Sequence, residues 1–231
     1  LKIYLREMAL PGLEALEGRI AGAHRLGRSV AFHCVTRTEL VYALEALRGA
    51  GARCGDRVEH AAIADDHALE KMAELGVTVV TQPHFIAERG AQYRVDVEPQ
   101  DHDFLYRGAG FLRHGVPLAA GSDAPYGGLD PWAGMRAAFS RGTGEGGHLG
   151  RDEALTPEQA LSLYTGDPLQ PGQTRPSIAV GEVADLCLLD APWEEIREDL
   201  DSRHVSATFC AGKMLYAAPE LIPASAVPSS R

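Results

Sequence analysis

The chain has 231 residues, 45% hydrophobic and 23% charged, which is enough apolar material for a sizeable core and excludes disorder as the overall state. Its 22 Lys and Arg against 32 Asp and Glu give a formal charge of −10, a poor match for a phosphate backbone, so nucleic acid is excluded as a partner. The longest apolar runs, 77–80 and 116–120, fall far short of the roughly 20 residues of a membrane helix, so no span is expected and a cytoplasmic location is.

The chain opens at Leu1 without an initiator Met, a basic n-region or an apolar signal core, so no targeting segment is visible. Cys34, Cys54, Cys187 and Cys210 form no C-x-x-C pair and read as reduced thiols. Short apolar runs alternate with longer amphipathic stretches, the pattern of β/α units around a parallel sheet. Residues 1–5 read as a strand, and 11–25 as a helix with Leu13, Leu16, Ile20 and Ala23 on one face. Strands follow at 29–33, 56–60 and 77–82, separated by helices at 39–47 and 65–75. The polar stretch 88–101 is too long for a tight turn and is expected to be a lid or substrate-contacting loop. A helix at 103–113, a strand at 116–121 and a helix at 131–141 come next, then a Gly-rich segment, 141–151, expected to be mobile. Thr156, Pro157 and Gln159 supply an N-cap, a Pro at N1 and a capping-box partner for a helix running to Tyr164, and 167–176 reads as loop. Residues 184–190 and 205–210, with a turn at 211–213 into 214–216, suggest a small β appendage, and 217–231 a loose tail.

Three metal-capable side chains stand at the ends of expected parallel strands: His33, His60 and Asp123. In a β/α barrel the strand C-termini converge on one mouth, so residues remote in sequence meet there. Two neutral imidazoles and one carboxylate suit zinc or a similar divalent ion. Singly, each has a plainer reading, a hydrogen-bonded core histidine or a helix cap; together they point to a metal centre.

The motifs Val58-Glu59-His60-Ala61, Gln82-Pro83, Gly121-Ser122-Asp123-Ala124-Pro125 with Asp130-Pro131, the stretch 155–165, and Gly181-Glu182-Val183-Ala184-Asp185-Leu186 fall in an order that resembles the metal-dependent amidohydrolases. The likeness is strongest to the branch of YtcJ-like proteins and N-substituted formamide deformylases. It implies an α/β fold, a partial (β/α)8 TIM-type barrel of about strands 4 to 8 over residues 1–175. A β-sandwich remnant over 176–216 and a flexible tail over 217–231 would follow. It also implies one or two divalent ions, most readily zinc, and a small-molecule substrate hydrolysed at a carbon–nitrogen bond of the non-peptide amide type. His33 and His60 match the family's metal histidines of the fifth and sixth strands, and Asp123 the eighth-strand aspartate that is both ligand and general base. Lys2 sits where some members carry a carboxylated, metal-bridging lysine, or is an ordinary lysine near a chain end.

The first-strand H-x-H pair of the family is absent, since no remaining histidines show i, i+2 spacing, so the chain is expected to be the C-terminal part of a longer enzyme. An alternative is a catalytically inactive half-barrel with a structural or binding role, and an open sheet of that kind would favour homo-oligomers. A deaminase of aromatic bases is a weaker fit, because H-A-x-E is missing. Gln82 and His84 lie where substrate would be contacted, or are solvent-facing residues after a Pro-terminated strand. Arg57 and Arg89 are candidate partners for a substrate carboxylate or solvated charges, and Tyr126 and Trp132 a pocket wall or packing. Glu59, next to His60, is expected on the opposite face of its strand, supporting the helix layer.

Overall fold

The computed structural model describes residues 1–173 and 178–221. The chain divides into two compact units, Leu1–Arg175 and Pro176–Arg231. The expected junction at 175/176 and the part of the expected tail beyond 221 lie outside the described residues.

The first unit is built on five parallel strands, β1 (Lys2–Tyr4), β2 (Ala31–Cys34), β3 (Arg57–His60), β4 (Thr78–Thr81) and β5 (Leu118–Ala120), hydrogen-bonded in sequence order. Helices α1 (Leu13–Arg25), α2 (Arg37–Ala50), α3 (Asp66–Leu75), α4 (His84–Asp96) and α5 (Ala109–Arg113) fill the connections, and α6 (Pro131–Ser140) and α7 (Pro157–Thr165) follow β5. The order has no reversal and so no topological switch point, unlike a doubly wound sheet.

Alternation along the strands sorts the sheet into two faces. Ile3, Phe32, Val58, Val79 and Leu118 point to one side and are buried, as are Leu16 and Ile20 of α1, Leu40 and Leu47 of α2, and Leu69 and Met72 of α3. Each such side chain contributes about 1.5–3 kcal/mol on burial. The other face is polar: Lys2, Tyr4, His33, Arg57, Glu59 and Thr78, with registers Tyr4↔His33 and His33↔Glu59. Glu59 is therefore not on the helix side. It lies on the His33 face, bonded to Arg57 Nε at 2.7 Å, and it is His60 that alternation alone would have sent to the helices.

The helices start where local chemistry permits. Thr36 and Glu39 form a reciprocal capping box that begins α2 ahead of the expected residue 39, Asp65 caps α3, and Thr156 with Gln159 caps α7. The stretch 88–101 is not a long loop, because most of it is α4 followed by a short 3-10 segment, Pro99–Phe104. Ile86, Gly90, Tyr93 and Val97 recur at helical spacing, and Ile86, Tyr93 and Val97 pack with Ala62, Phe85, Leu105 and Tyr106. The helix expected over 103–113 is reduced to α5. Arg141 donates to the carbonyls of Leu105 and Tyr106, and Tyr106 N–H goes to Ala62 O, so the backbone there has partners other than helical ones.

The same Arg141 corrects the expectation for 141–151. It is 1% exposed, burial pushes its pKa down to about 10, and its Nε donates to Leu149 and Gly150 carbonyls at 2.9 and 3.2 Å. With the Gly142–His148 bridge, this makes the segment an ordered turn whose Gly146, Gly147 and Gly150 supply positive φ.

In the second unit β6 (Leu186–Leu189), β7 (Val205–Cys210) and β8 (Lys213–Ala217) form an antiparallel three-stranded sheet in that order. A short helix α8 (Trp193–Ile196), which the sequence pattern did not signal, links β6 to β7. No helix among the described residues is long and apolar enough to cross a membrane.

Candidate functional site

β2, β3 and β5 carry their candidate residues at or just beyond their C-terminal ends, on the edge of the sheet where the β/α connections begin. His33 reaches the polar face by ordinary alternation, and its ring stacks on that of Tyr4 with centroids 4.1 Å apart. His60 takes a different route: its φ is +71° and that of Ala61 +45°, and Ala61 N–H bonds Glu59 O at 3.0 Å across it. This is a γ-turn centred on a non-glycine residue, a strained conformation seen where the surroundings over-determine it and often at functional sites. It brings His60 Nε2 to 3.0 Å from His33 Nδ1.

Gln82, one residue past β4, fixes which nitrogen of His60 carries the proton. Its Nε2 donates to Val80 O at 3.3 Å, so its Oε1 accepts from His60 Nδ1 at 2.7 Å. The Nε2 lone pair of neutral His60 thus faces His33. Both rings are held below the ordinary histidine pKa of 6.5, chiefly by burial, with the charge of His60 adding to the effect at His33 and that of Lys2 at both. The Asp123 carboxylate opposes this at both rings, as Glu39 does at His33 and Glu59 at His60. Asp123 itself sits at φ +51°, followed by a cis Ala124–Pro125 peptide bond. Lys2 is on the polar face, two residues before Tyr4, exposed, and within the field of both histidines.

Gln82 and His84, expected toward substrate, are 3% and 4% exposed. His84 Nε2 donates to Ser122 O at 3.1 Å, and burial lowers its pKa. Trp132 is buried packing at the start of α6, whereas Tyr126 is exposed. Arg89 lies 4.1 Å over the Phe85 ring rather than free in solvent. Tyr4 was not picked out as a site residue, although alternation from Lys2 puts it on the same face; the Gln82–His60 bond has no local sequence signal, since 22 residues separate the partners.

The residues fit part of a metal centre. Two imidazole nitrogens on one tetrahedral ion, each at about 2.0–2.1 Å, stand about 3.3 Å apart, so the facing pair at 3.0 Å matches within a few tenths of an ångström. Among the described residues no three His, Cys, Asp or Glu side chains are grouped so as to hold an ion. A cavity of about 280 Å³ also opens on the polar face, lined by Arg57, Glu59, Val80, Tyr164 and Pro168. None of the histidines or Asp123 lines it, and Gly172 beside it abuts Pro117 and Thr78 at the N-terminal ends of the strands, the end associated with stability rather than chemistry.

Comparison with known proteins gives a consistent picture. The profile described as "Amidohydrolase family" matches residues 4–216. The chain is 31% identical over 203 residues to an N-substituted formamide deformylase of Arthrobacter pascens, covering 84% of this chain and 38% of that protein. It is 26% identical to the putative amidohydrolase YtcJ of Bacillus subtilis strain 168, covering 88% of this chain and 40% of that protein. Among solved structures, an uncharacterized metal-dependent hydrolase from Pyrococcus horikoshii OT3 superposes with a TM-score of 0.60 at 28% identity, over 71% of this chain and 36% of that one. The chain thus spans about 40% of the length of the curated relatives it matches.

Proposed function

The chain belongs to the amidohydrolase family, and on that premise we propose that it carries part of the active site of a divalent-metal-dependent hydrolase acting on a carbon–nitrogen bond of the non-peptide amide type. In this reading β1–β5 are the fourth to eighth strands of a (β/α)8 barrel, and 176–216 belong to an accompanying β-sandwich. The observation that carries it is the facing pair, His33 Nδ1 and His60 Nε2 at 3.0 Å, with Asp123 acting on both rings.

His33 and His60 would hold the ion through those two nitrogens, with Asp123 as a further ligand and Lys2 as one more if carboxylated. Zinc is the first candidate for an N,N,O donor set. A bound divalent ion supplies a water acidified to a pKa of about 7 and polarisation of the scissile carbonyl. Gln82, by accepting from His60 Nδ1, keeps the Nε2 lone pair directed into the site. The low pKa of both rings leaves them neutral, and so able to ligate, at neutral pH. Asp123 accepts the proton of the attacking water and delivers it to the leaving nitrogen, so that amide and water become acid and amine with the proton count closed.

The name borne by the 31% identical relative makes an N-substituted formamide the first substrate to offer. The test is release of formate and amine by the zinc-loaded protein, with a matched acetamide alongside. Turnover that requires both added metal and Asp123 supports the proposal. Turnover that is unchanged by chelation and by Asp123→Asn contradicts it.

A further inference from the structure

Asp123 lies in a loop, 121–128, between β5 and α6, and much of what grips that loop comes from the first turns of α4. His84 Nε2 donates to the Ser122 carbonyl at 3.1 Å, Glu88 Oε1 accepts from Gly128 N–H at 3.0 Å, and the Arg89 guanidinium donates to the Tyr126 carbonyl. His84 and Glu88 are four apart and share one side of the helix, and Arg89 is adjacent. The fit is close as well as polar. A Cβ at Gly127 would fall 2.3 Å from His84 Nε2, 2.6 Å from Ser122 O and 2.7 Å from Phe85 Cε1, so that position accepts only glycine. The clamp is itself anchored, since Phe85 and Ile86 are buried in the cluster with Ala62, Leu105 and Tyr106, and Arg89 is stacked on Phe85.

The His84 bond is the decisive one. The Ser122 carbonyl belongs to the peptide unit that joins Ser122 to Asp123, and turning about φ of Asp123 swings that unit. Holding the carbonyl therefore restrains φ at +51°, a left-handed value that aspartate adopts more readily than most residues but that is uncommon without glycine. We infer that α4 is the support that positions Asp123, and that His84 is a positioning residue acting through the Ser122 carbonyl rather than a contact for substrate. Its consequence for turnover rests on the hydrolase reading above; its consequence for the loop does not.

Two substitutions separate the roles. His84→Leu keeps bulk and loses the donor, whereas His84→Gln offers an N–H at a similar reach. Hydrogen exchange on the 231-residue chain should rise over 121–128 in His84→Leu by roughly two- to tenfold, the change that goes with one lost hydrogen bond, with α1–α3 unaltered. In His84→Gln it should return to near the wild-type rate. Unchanged exchange over 121–128 in His84→Leu would overturn the proposal. In the active enzyme, His84→Leu should lower kcat by about 10- to 100-fold at unchanged KM, as expected of a misplaced catalytic group. A raised KM with unchanged kcat would instead make His84 a substrate contact and would also overturn it. If wild-type protein shows no metal-dependent turnover, the hydrolase reading fails, and the exchange experiment alone decides the role of His84.

Discussion

Replacing Gln82 by Leu tests the arrangement of the histidine pair through a residue that meets His60 only at Nδ1, the nitrogen not proposed to bind metal. In the native site the amide cannot reverse without losing its bond to Val80 O, so Oε1 always meets His60 Nδ1. Gln82→Leu leaves that Nδ1–H without an acceptor in a site where His60 is 3% exposed. An unsatisfied buried donor costs about 1–3 kcal/mol. The ring can escape the penalty by moving its proton to Nε2 and donating to His33 Nδ1, which turns a ligating nitrogen into a donor pointing at its neighbour. Either outcome weakens metal binding. Loss of such an outer partner lowers affinity by about 10- to 100-fold, or about 1.4–2.7 kcal/mol, in agreement with the hydrogen-bond figure. The assay is competition for Zn²⁺ against a chromophoric chelator, with Gln82→Glu as the control that keeps an acceptor. Affinity of Gln82→Leu within twofold of wild type would refute the tautomer argument.

Asp123→Asn in the active enzyme should cut turnover by about 10² or more while metal content holds, because the amide keeps a ligating oxygen but not the proton acceptor; His60→Ala should instead lose metal and activity together, and parallel metal analysis and rates distinguish the two. Asp56, fully buried, accepts from Val30 N–H and Arg53 N–H, each at 2.9 Å, and from His24 Nε2 at 3.0–3.1 Å. Asp56→Ala strands those donors and should cost about 3–5 kcal/mol by denaturant unfolding, where a loss under about 1 kcal/mol would contradict the reading. His33, His60 and His84 are all held below 6.5 chiefly by burial, so just under that pH the unfolded chain binds more protons than the folded one. Their stabilisation is therefore complete above 6.5 and declines as pH falls toward their lowered values; ring titration by NMR should give three midpoints below 6.5, and a midpoint above it for any of the three would contradict the assignment.

The strand positions were legible because the strands are short apolar runs, as in 118–120, or alternate apolar with polar residues, as in 2–4 and 57–60, and the capped helices because Asp65 and the Thr156–Gln159 box announce themselves locally. What was not legible depended on partners remote in sequence. The polar run after residue 88 conceals a helix whose inward residues, Ile86, Gly90, Tyr93 and Val97, are few but correctly spaced. Arg141 has the composition signature of a surface charge and is in fact the largest fully buried side chain among the described residues, holding two loops by their carbonyls. Strict alternation misplaced Glu59, because it took His60 as the inward residue of β3 when His60 arrives there through a positive-φ turn just after Glu59. At the site, His33, His60 and Asp123 were readable as types at strand ends; the facing geometry of the histidines, the Tyr4 stack and the Gln82 bond are products of register and packing.

The central claim is that His33 and His60 together hold one divalent ion. Calorimetric titration of the chain with Zn²⁺ at neutral pH, on wild type, His33→Ala and His60→Ala, addresses it directly. One ion should bind the wild type, and deletion of either ligand should weaken that binding by about 10² or more, with both variants still folded by circular dichroism. Wild-type affinity and stoichiometry in the folded variants would contradict the claim.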